Sequence, residues 1–542
     1  MSDQTAAGPA QSARPAAGGP APHGPDGDVQ PLITAAEACP VLERRAIAAR
    51  ESILLSFRIF DTRATLRTAE ARAVADGEDW AALLVALAAK GVRIRMQVSD
   101  FDPIACAGLH QAAWASLRHL AARAAANSDA EGRIEAMAAR HPAEVGAFWR
   151  RALAGRARRE LEAIRRSADG PLEDSHPGLR PALAGETPRL FPATHHQKLA
   201  VIDDDFALAG GLDIDDRRWD TPDHDRPAEE TWRDVSLAIT GRAAETILSA
   251  AARIWNDCVN DWAAREDVPS RIPGLARPAP CPLAADDSPG GGGPRRIETV
   301  TTRSVPRRGP FAFSPRTVSD ATERAAIEII SGARRFLYIE TQFLRSPAIA
   351  AALSAAARTS PRLELVVILP FAPERLAFKG ARGATIRHGE ALQARALRRI
   401  DRAFGPRAAL LSPAKPARRT PADAFVAYGA GMIYVHSKVM IADGAEALVG
   451  SANLNGRSMR WDTEVSVRWR DPAAVAAFLE RLADKWIGVR AGPADRLAPW
   501  RASAEANAAV VPDLREGFLL PHDRRRAARF GRPTFWLPNE LF

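Results

Sequence analysis

The sequence predicts an α/β protein made of two similar halves, each with a mixed sheet and flanking helices. Three observations predict it. The chain has 542 residues, more than one hydrophobic core usually spans, so two domains with extensions are expected. Runs of helix, glycine and buried strand occur on both sides of a Pro/Gly-rich stretch. A segment of the first half also returns, position by position, 240 residues later.

Residues 1–30 are rich in Ala, Gly and Pro and poor in large apolar groups, which predicts a disordered segment. They contain no basic n-region or apolar h-region, so a Sec signal is not expected. The first half is expected over 31–266. AIAARESILLSFRIF (46–60) reads as a helix end feeding a buried strand, and DWAALLVALAAKGVRIRMQVSD (79–100) as helix, glycine cap and strand. Residues 104–168 are dominated by Ala, Arg and Glu and predict a helical insertion; Arg150, Arg151, Arg156, Arg158, Arg159, Arg165 and Arg166 make either a cationic face or an ordinary solvated helix surface. Pro and Gly density marks 267–311 as a linker. The second half, 312–490, repeats the grammar: ATERAAIEIISGARRFLYIETQF (321–343) is helix then strand, and PRLELVVILPF (361–371) is another buried strand. Residues 491–542 form a tail without a clear period. Its Arg524, Arg525, Arg526 and Arg529, near Phe530, Phe535 and Trp536, read as an interfacial anchor or as a tail docked on its own domain.

Apolar residues make up 46% and charged residues 26%, ordinary values for a globular protein. No apolar run approaches the roughly 18 residues of a membrane span. The net charge of +9 favours anionic partners, phospholipid headgroups or nucleic acid, without choosing between them. The basic side is nearly all arginine, with only six lysines: Lys90, Lys198, Lys379, Lys415, Lys438 and Lys485. Cys39, Cys106, Cys258 and Cys281 are scattered, with no C-x-x-C pair, and read as ordinary thiols.

The repeat lies in HHQKLAVIDDDFALAGGLDIDDRRWD (195–220) and HSKVMIADGAEALVGSANLNGRSMRWDTE (436–464). His196 falls on His436, Lys198 on Lys438, Asp203 on Asp443, Gly210 and Gly211 on Gly450 and Ser451, Asp213 on Asn453, and Arg217 on Arg457. With a small length change Trp219-Asp220 answers Trp461-Asp462, and RDVSL around Asp234 answers TEVSV around Glu464. Each copy reads as a hairpin, with period-two alternation placing the imidazole and the ammonium on one face. Two of six lysines sit at matched positions in a chain that otherwise uses Arg, which argues for a site shaped to a compact point charge rather than a planar fork.

Such a pair of half-sites suits a phosphodiester. Cations must surround the non-bridging oxygens, and Lys198 and Lys438 supply them, with Asn453 as a neutral donor. One histidine attacks phosphorus to give a phosphohistidine, and the other protonates the departing alcohol and later activates water. A carboxylate on a ring nitrogen fixes tautomer and orientation, the role expected of Asp234 and Glu464 unless they only pair surface strands. His196, Lys198, Asp203, His436, Lys438 and Asp443 are thus the candidate catalytic set, with Asp234, Glu464, Asn453, Gly211, Asp213 and Ser451 in support. Asp203 and Asp443 suit turn stabilisation better than chemistry, because a strand separates them from the His/Lys face. The spacing of His and carboxylates matches no metal-ligand pattern, so neither metal nor cofactor is expected.

These residues resemble the phospholipase D superfamily, whose signature is a doubled H-x-K-x-x-x-x-D. The resemblance covers about residues 40–490 and extends to GGLD, RWD, WRDV, YIETQF (338–343) and GSANLNGRSM. Within the family YIETQF is similar to the Tyr-Ile-Glu-Asn-Gln stretch of phospholipase D enzymes proper, with Thr341 where Asn is usual. The resemblance implies two halves about a pseudo-two-fold axis with the active site at their junction, His196 as nucleophile and His436 as acid and base. It implies hydrolysis of glycerophospholipids such as phosphatidylcholine to phosphatidate. The alternatives are a cardiolipin synthase-like phosphatidyl transfer and, third, a nuclease. A basic binding protein with a dead site is a further alternative, against which the intact His196, Lys198, His436 and Lys438 speak. The expected partner is phospholipid, with peripheral contact to an anionic membrane surface, no nucleic acid and a monomeric chain. A cytoplasmic or peripheral membrane location is expected, or secretion by a route without a Sec signal.

Overall fold

The computed structural model describes residues 28–168, 170, 172, 176–282, 296–377, 383–420, 425–488, 492–535 and 537–542. The first half forms a seven-stranded sheet from β1 (Val29–Ile33), β2 (Ser52–Phe57), β3 (Arg93–Asp100), β4 (Ile134–Arg140), β5 (Lys198–Ile202), β6 (Phe206–Gly210) and β7 (Val235–Thr240), in the order β1-β7-β6-β5-β2-β3-β4. The second half contributes β8 (Ile297–Val305), β9 (Arg316–Asp320), β10 (Phe336–Glu340), β11 (Glu364–Ile368), β12 (Ala408–Pro413), a small hairpin of β13 (Val426–Ala427) and β14 (Ala430–Gly431), β15 (Val439–Ala442), β16 (Glu446–Gly450), β17 (Glu464–Arg470) and β18 (Leu519–Pro521). Its nine-stranded sheet runs β18-β12-β11-β10-β15-β16-β17-β8-β9.

The two orders are the same over seven positions. β2, β3 and β4 run parallel with β5 antiparallel to β2, as β10, β11 and β12 run parallel with β15 antiparallel to β10. β1 lies antiparallel beyond β7 as β8 does beyond β17. The internal repeat is thus a repeated sheet. Its parallel strands are buried on both faces and accordingly read as near-continuous apolar runs, SILLSF and ELVVI. The helix Trp80–Ala89 starts where the Asp79 side chain accepts the Ala82 N–H and stops before Gly91, whose φ is +105°.

The sheets meet face to face where β6 packs on β16 and β17. One hydrophobic cluster joins Val201 and Leu208 of the first to Val439, Ile441 and Val467 of the second. A core shared by both sheets, beside a second cluster confined to the second half, means that the halves are not independent modules.

Four sequence-based boundaries change. The disordered stretch expected over 1–30 ends earlier, since Val29 and Gln30 already pair in β1; residues 1–27 lie outside the described residues. The expected helical insertion over 104–168 contains two helices, Ala107–Ala125 and Ala147–Ser167, but also β4, an integral strand. Its IEAMAAR is helix-prone by composition. All seven residues are buried against neighbouring elements, and that packing overrides propensity. On the helix Ala147–Ser167 the arginines form mostly a solvated surface, with Arg150 and Arg165 paired to Glu144 and Glu162. In the expected linker 267–311, Ile272, Leu275 and Cys281 join the first core and β8 joins the second sheet. Residues 283–295 lie outside the described residues. The tail is likewise structured: β18 pairs with β12, and the helix Arg524–Phe530 packs on Ala384–Phe404 through the pairs Arg524–Asp401 and Arg526–Glu390. The tail thus docks on its own half; Trp536 lies outside the described residues. No helix among the described residues is long and apolar enough to cross a membrane.

Candidate active site

His196 and His436 sit just before β5 and β15, at the end of each sheet where the parallel strands finish. The chains of the two halves cross there. The His196 N–H donates to the Thr463 carbonyl at 2.8 Å, and the His436 N–H donates to the Arg233 carbonyl at 2.8 Å. Thr463 and Arg233 immediately precede Glu464 and Asp234, so each crossing delivers an acid to the other half's histidine. His196 Nδ1 lies 3.0 Å from Glu464 Oε2, and His436 Nδ1 lies 2.7 Å from Asp234 Oδ2. With Nδ1 engaged, Nε2 of each ring is left for chemistry. His196 is the more accessible, its side chain 11% exposed against 4% for His436.

The lysines follow as period-two spacing requires. Lys198 Nζ donates to the His196 carbonyl at 2.7 Å, and Lys438 makes the same bond to His436. The intervening Gln197 and Ser437 point to the other side. Gln197 donates to Ser56 Oγ at 2.9 Å and Gln97 Oε1 at 2.7 Å, and Ser437 donates to Glu340 at 2.5 Å. Glu340, from YIETQF, therefore braces the strand that carries His436, while Thr341 donates to the Phe343 carbonyl at 2.8 Å.

The supporting residues distinguish the two half-sites. Asp213 stands 3.9 Å from Lys198 Nζ and also pairs with Arg218. Its repeat equivalent is the neutral Asn453, whose buried Oδ1 has no hydrogen-bond partner. Ser451 donates its hydroxyl to Glu464. The equivalent Gly211 has no side chain because none fits: a Cβ there would fall 2.0 Å from Asp234 Oδ1. Asp203 and Asp443, included in the candidate catalytic set, do not reach the site. They sit at the far ends of β5 and β15 in left-handed conformations, φ +49° and +53°. Asp203 accepts the N–H groups of Arg50, Glu51 and Ser52, and Asp443 those of Arg334, Arg335 and Phe336, in each case tying a hairpin turn to the neighbouring strand. Their place in the motif is architectural.

Four further residues belong to the site. Arg58 approaches Asp213 to 4.0 Å, and Arg218 pairs with the same carboxylate. Arg457 donates to Asp462 Oδ1 at 2.9 Å and lies 3.4 Å from Thr194 Oγ1. The Trp232 ring packs 4.7 Å from the His436 ring, with the Arg218 guanidinium over the indole. The repeat gave no signal for Arg58. Arg217, matched to Arg457 in sequence, turns instead to Glu374 at 2.9 Å.

Burial, then the nearby cations, hold both imidazoles well below their ordinary value, which favours their neutral form. Burial pulls the Lys198 ammonium down to about 8, with Asp213 opposing, and Lys438 to about 7. It pushes Asp234 up to about 6 and Glu464 to about 8. Asp213 is buried too, yet Lys198, Arg218 and Arg58 keep it below the usual carboxylate range. An oxyanion between the two lysines would stabilise their protonated forms. Lys198, Lys438, Asp234 and Glu464 each lose a proton between about pH 6 and 8, which weakens anion binding. Inorganic phosphate or tungstate should therefore bind progressively more weakly from pH 6 to 8.5, by up to about tenfold per unit where one proton is coupled. Competition assays across that range check it; a flat profile would contradict the assignment. No group of three or more His, Cys, Asp or Glu side chains among the described residues is placed to hold a metal ion.

Comparison with known proteins places this geometry. Residues 326–486 match the family model described as "Cardiolipin synthase, PLD-like domain". Phospholipase D1 of Schizosaccharomyces pombe is 24% identical over 360 residues, 53% of this chain and 25% of that protein. Phospholipase D beta 2 of Arabidopsis thaliana is 22% identical over 419 residues, 59% of this chain and 44% of that one. This chain thus aligns with less than half the length of either relative. Among solved structures, phosphatidylserine synthase of Haemophilus influenzae superposes with a TM-score of 0.47 at 13% identity, over 84% of this chain and 85% of that one. The repeated sheets, the crossed histidine–carboxylate pairs, the family model matched over 326–486 and the two phospholipases D together support membership of the phospholipase D superfamily.

Proposed function

We propose that the protein is a phosphodiesterase of the phospholipase D type. It hydrolyses glycerophospholipids such as phosphatidylcholine to phosphatidate and free headgroup. The observation that carries the reading is the crossed pairing His196–Glu464 and His436–Asp234, each imidazole beside a buried lysine. In this reading His196 Nε2 attacks phosphorus and the bond from phosphorus to the headgroup oxygen breaks. His436, charged once the phosphodiester offsets the lysines, gives that oxygen its proton. His436 then takes a proton from water, whose oxygen displaces His196 and restores the starting state. The pairing supports this division of labour. Asp234, ionised above about pH 6, can stabilise an imidazolium at His436. Glu464, whose carboxyl burial pushes up, favours an imidazolium less, and where its Oε2 accepts from His196 Nδ1 the Nε2 lone pair is free to attack.

Transfer of the phosphatidyl group to an alcohol is the second reading, favoured by the description of the model matched over 326–486. One experiment separates them: headgroup release from mixed-lipid vesicles with glycerol or ethanol present, EDTA throughout, and acid quenching of a brief labelled incubation. Hydrolysis gives phosphatidate as the main product, and transfer gives the phosphatidyl alcohol; both leave an acid-labile adduct. No adduct, or activity abolished by EDTA, would remove the mechanism.

A further inference from the structure

Beyond the catalytic groups, the active-site end of the molecule carries an exposed aromatic knot. The chain leaving β4 runs through 141–146 into the helix Ala147–Ser167, and the chain leaving β8 runs through 306–313. Both leave their sheets at the end where His196 and His436 lie: β4 finishes beside β3 and β2, and β8 passes Glu464 at Thr302. There Phe148 and Phe311 pack ring to ring at 5.2 Å, and Trp149 meets Phe313 at 5.2 Å. Phe313 anchors the group beside Ala193, three residues before His196 in the chain, and Trp461. Phe311 and Phe148 face solvent, 71% and 48% exposed.

The knot is built rather than incidental. The Gly146 and Phe148 N–H groups donate to the Ala312 and Pro310 carbonyls at 2.6 and 2.9 Å, and Trp149 Nε1 donates to the Phe311 carbonyl at 3.0 Å. The two segments lie so close that a Cβ on Gly146 would come within 2.5 Å of the Gly309 and Pro310 oxygens. Two rings are thus fixed outward at the cost of exposing them. Arg151, Arg307 and Arg308 flank them, exposed and without an ion-pair partner among the described residues. Exposed aromatics held by hydrogen-bonded backbone, with exposed arginines three or four residues away in the chain, complement a surface that is apolar beneath and anionic on top. On the same end, Phe535 of the tail is fully exposed, and the Thr534 N–H is bound at 2.8 Å to His388 in the first turn of Ala384–Phe404.

We propose that this knot docks the protein on an anionic phospholipid bilayer, with Phe148 and Phe311 entering the headgroup–acyl boundary and the arginines on the headgroups. The proposal rests on the lipid reading above for its purpose, though binding is measured without turnover. The test is flotation of the full chain with phosphatidylcholine vesicles and with mixed phosphatidylcholine–phosphatidylglycerol vesicles. Alongside it run turnover of the soluble bis(p-nitrophenyl) phosphate and gel filtration without lipid. The wild type should float with the mixed vesicles. The double variants F148S/F311S and R307E/R308E should each lose about tenfold or more of that partition, with soluble turnover unchanged. Mixed-vesicle binding equal to wild type in both variants would overturn the proposal. So would a wild type that binds neither vesicle, or a wild-type dimer that F148S/F311S makes monomeric, which would make the knot a contact between copies. Binding without lipid turnover would sink the lipid reading and leave this one standing; lipid turnover in detergent micelles without vesicle binding would do the reverse.

Discussion

Replacing either His196 or His436 by asparagine should lower phosphodiester turnover by about 10⁴-fold or more, because residues that act as one unit are not partly dispensable. Both imidazoles are buried, each with a carboxylate from the other half at Nδ1 and a lysine ammonium on its own carbonyl. The variants should differ in what they leave behind. With a substrate whose leaving group is a good one, such as a p-nitrophenyl ester, the first step hardly needs an acid. The His436→Asn protein should then release one equivalent of nitrophenol and stall as an acid-labile adduct on His196. The His196→Asn protein should form none. Quenched-flow burst amplitudes and mass spectrometry of the intact protein read the difference. An adduct on His436 in the His196→Asn protein would exchange the two roles, and turnover within tenfold of wild type in either variant would end the mechanism.

The second large effect is expected from one methyl group. Gly211→Ala places a Cβ 2.0 Å from Asp234 Oδ1 and 2.9 Å from its Cγ. Asp234 cannot easily yield, since its Oδ1 accepts the Val235 N–H at 2.9 Å and its Oδ2 faces His436. The carboxylate must leave one partner, and His436 then loses the group that sets its tautomer. A fall in kcat of about 100- to 1000-fold is expected, the range for losing one preorganised group, with a stability cost of about 1–3 kcal/mol from overpacking. If the effect runs through Asp234, then Gly211→Ala added to Asp234→Ala should cost little further activity. A double variant far worse than Asp234→Ala alone, or a Gly211→Ala enzyme within twofold of wild type, would show that the close approach is not what Gly211 serves.

The contrast with position 451 marks how far the sequence could be read. Matching Gly211 to Ser451 and Asp234 to Glu464 needs only the repeat, and alternation along HHQKLAVI places His196 and Lys198 on one face without a structure. That a shorter acid accompanies glycine while a longer acid accompanies a serine donor is visible only once the side chains meet. The crossing was hidden for the same reason: nothing local says that Glu464 serves His196 rather than His436. Arg58 was invisible. Pairing of β2 with β5 and of β10 with β15 aligns it with Gln342, so comparing the halves could not single it out. Asp203 and Asp443 mislead in the opposite sense. They recur as faithfully as the histidines, because the hairpin turns are duplicated along with the chemistry. Among the elements, IEAMAAR and the strands β8 and β18 escaped because alanine-rich, partly exposed or very short strands carry little period-two signal; tertiary contacts decide them.

Because His196 and His436 are each completed by an acid encoded in the other half, competence here belongs to the assembly and to neither repeat. A fragment bearing a single repeat would hold a histidine with no acid behind it and an acid with nothing to steady. It could regain function only by finding a twin, and the twin would serve because the exchange is reciprocal. Covalent fusion removes the need for that encounter. It also allows the two sides to differ, and here one has an aspartate beside a glycine and the other a glutamate beside a serine. An apparently symmetric device can thereby assign unlike duties to two copies of the same amino acid.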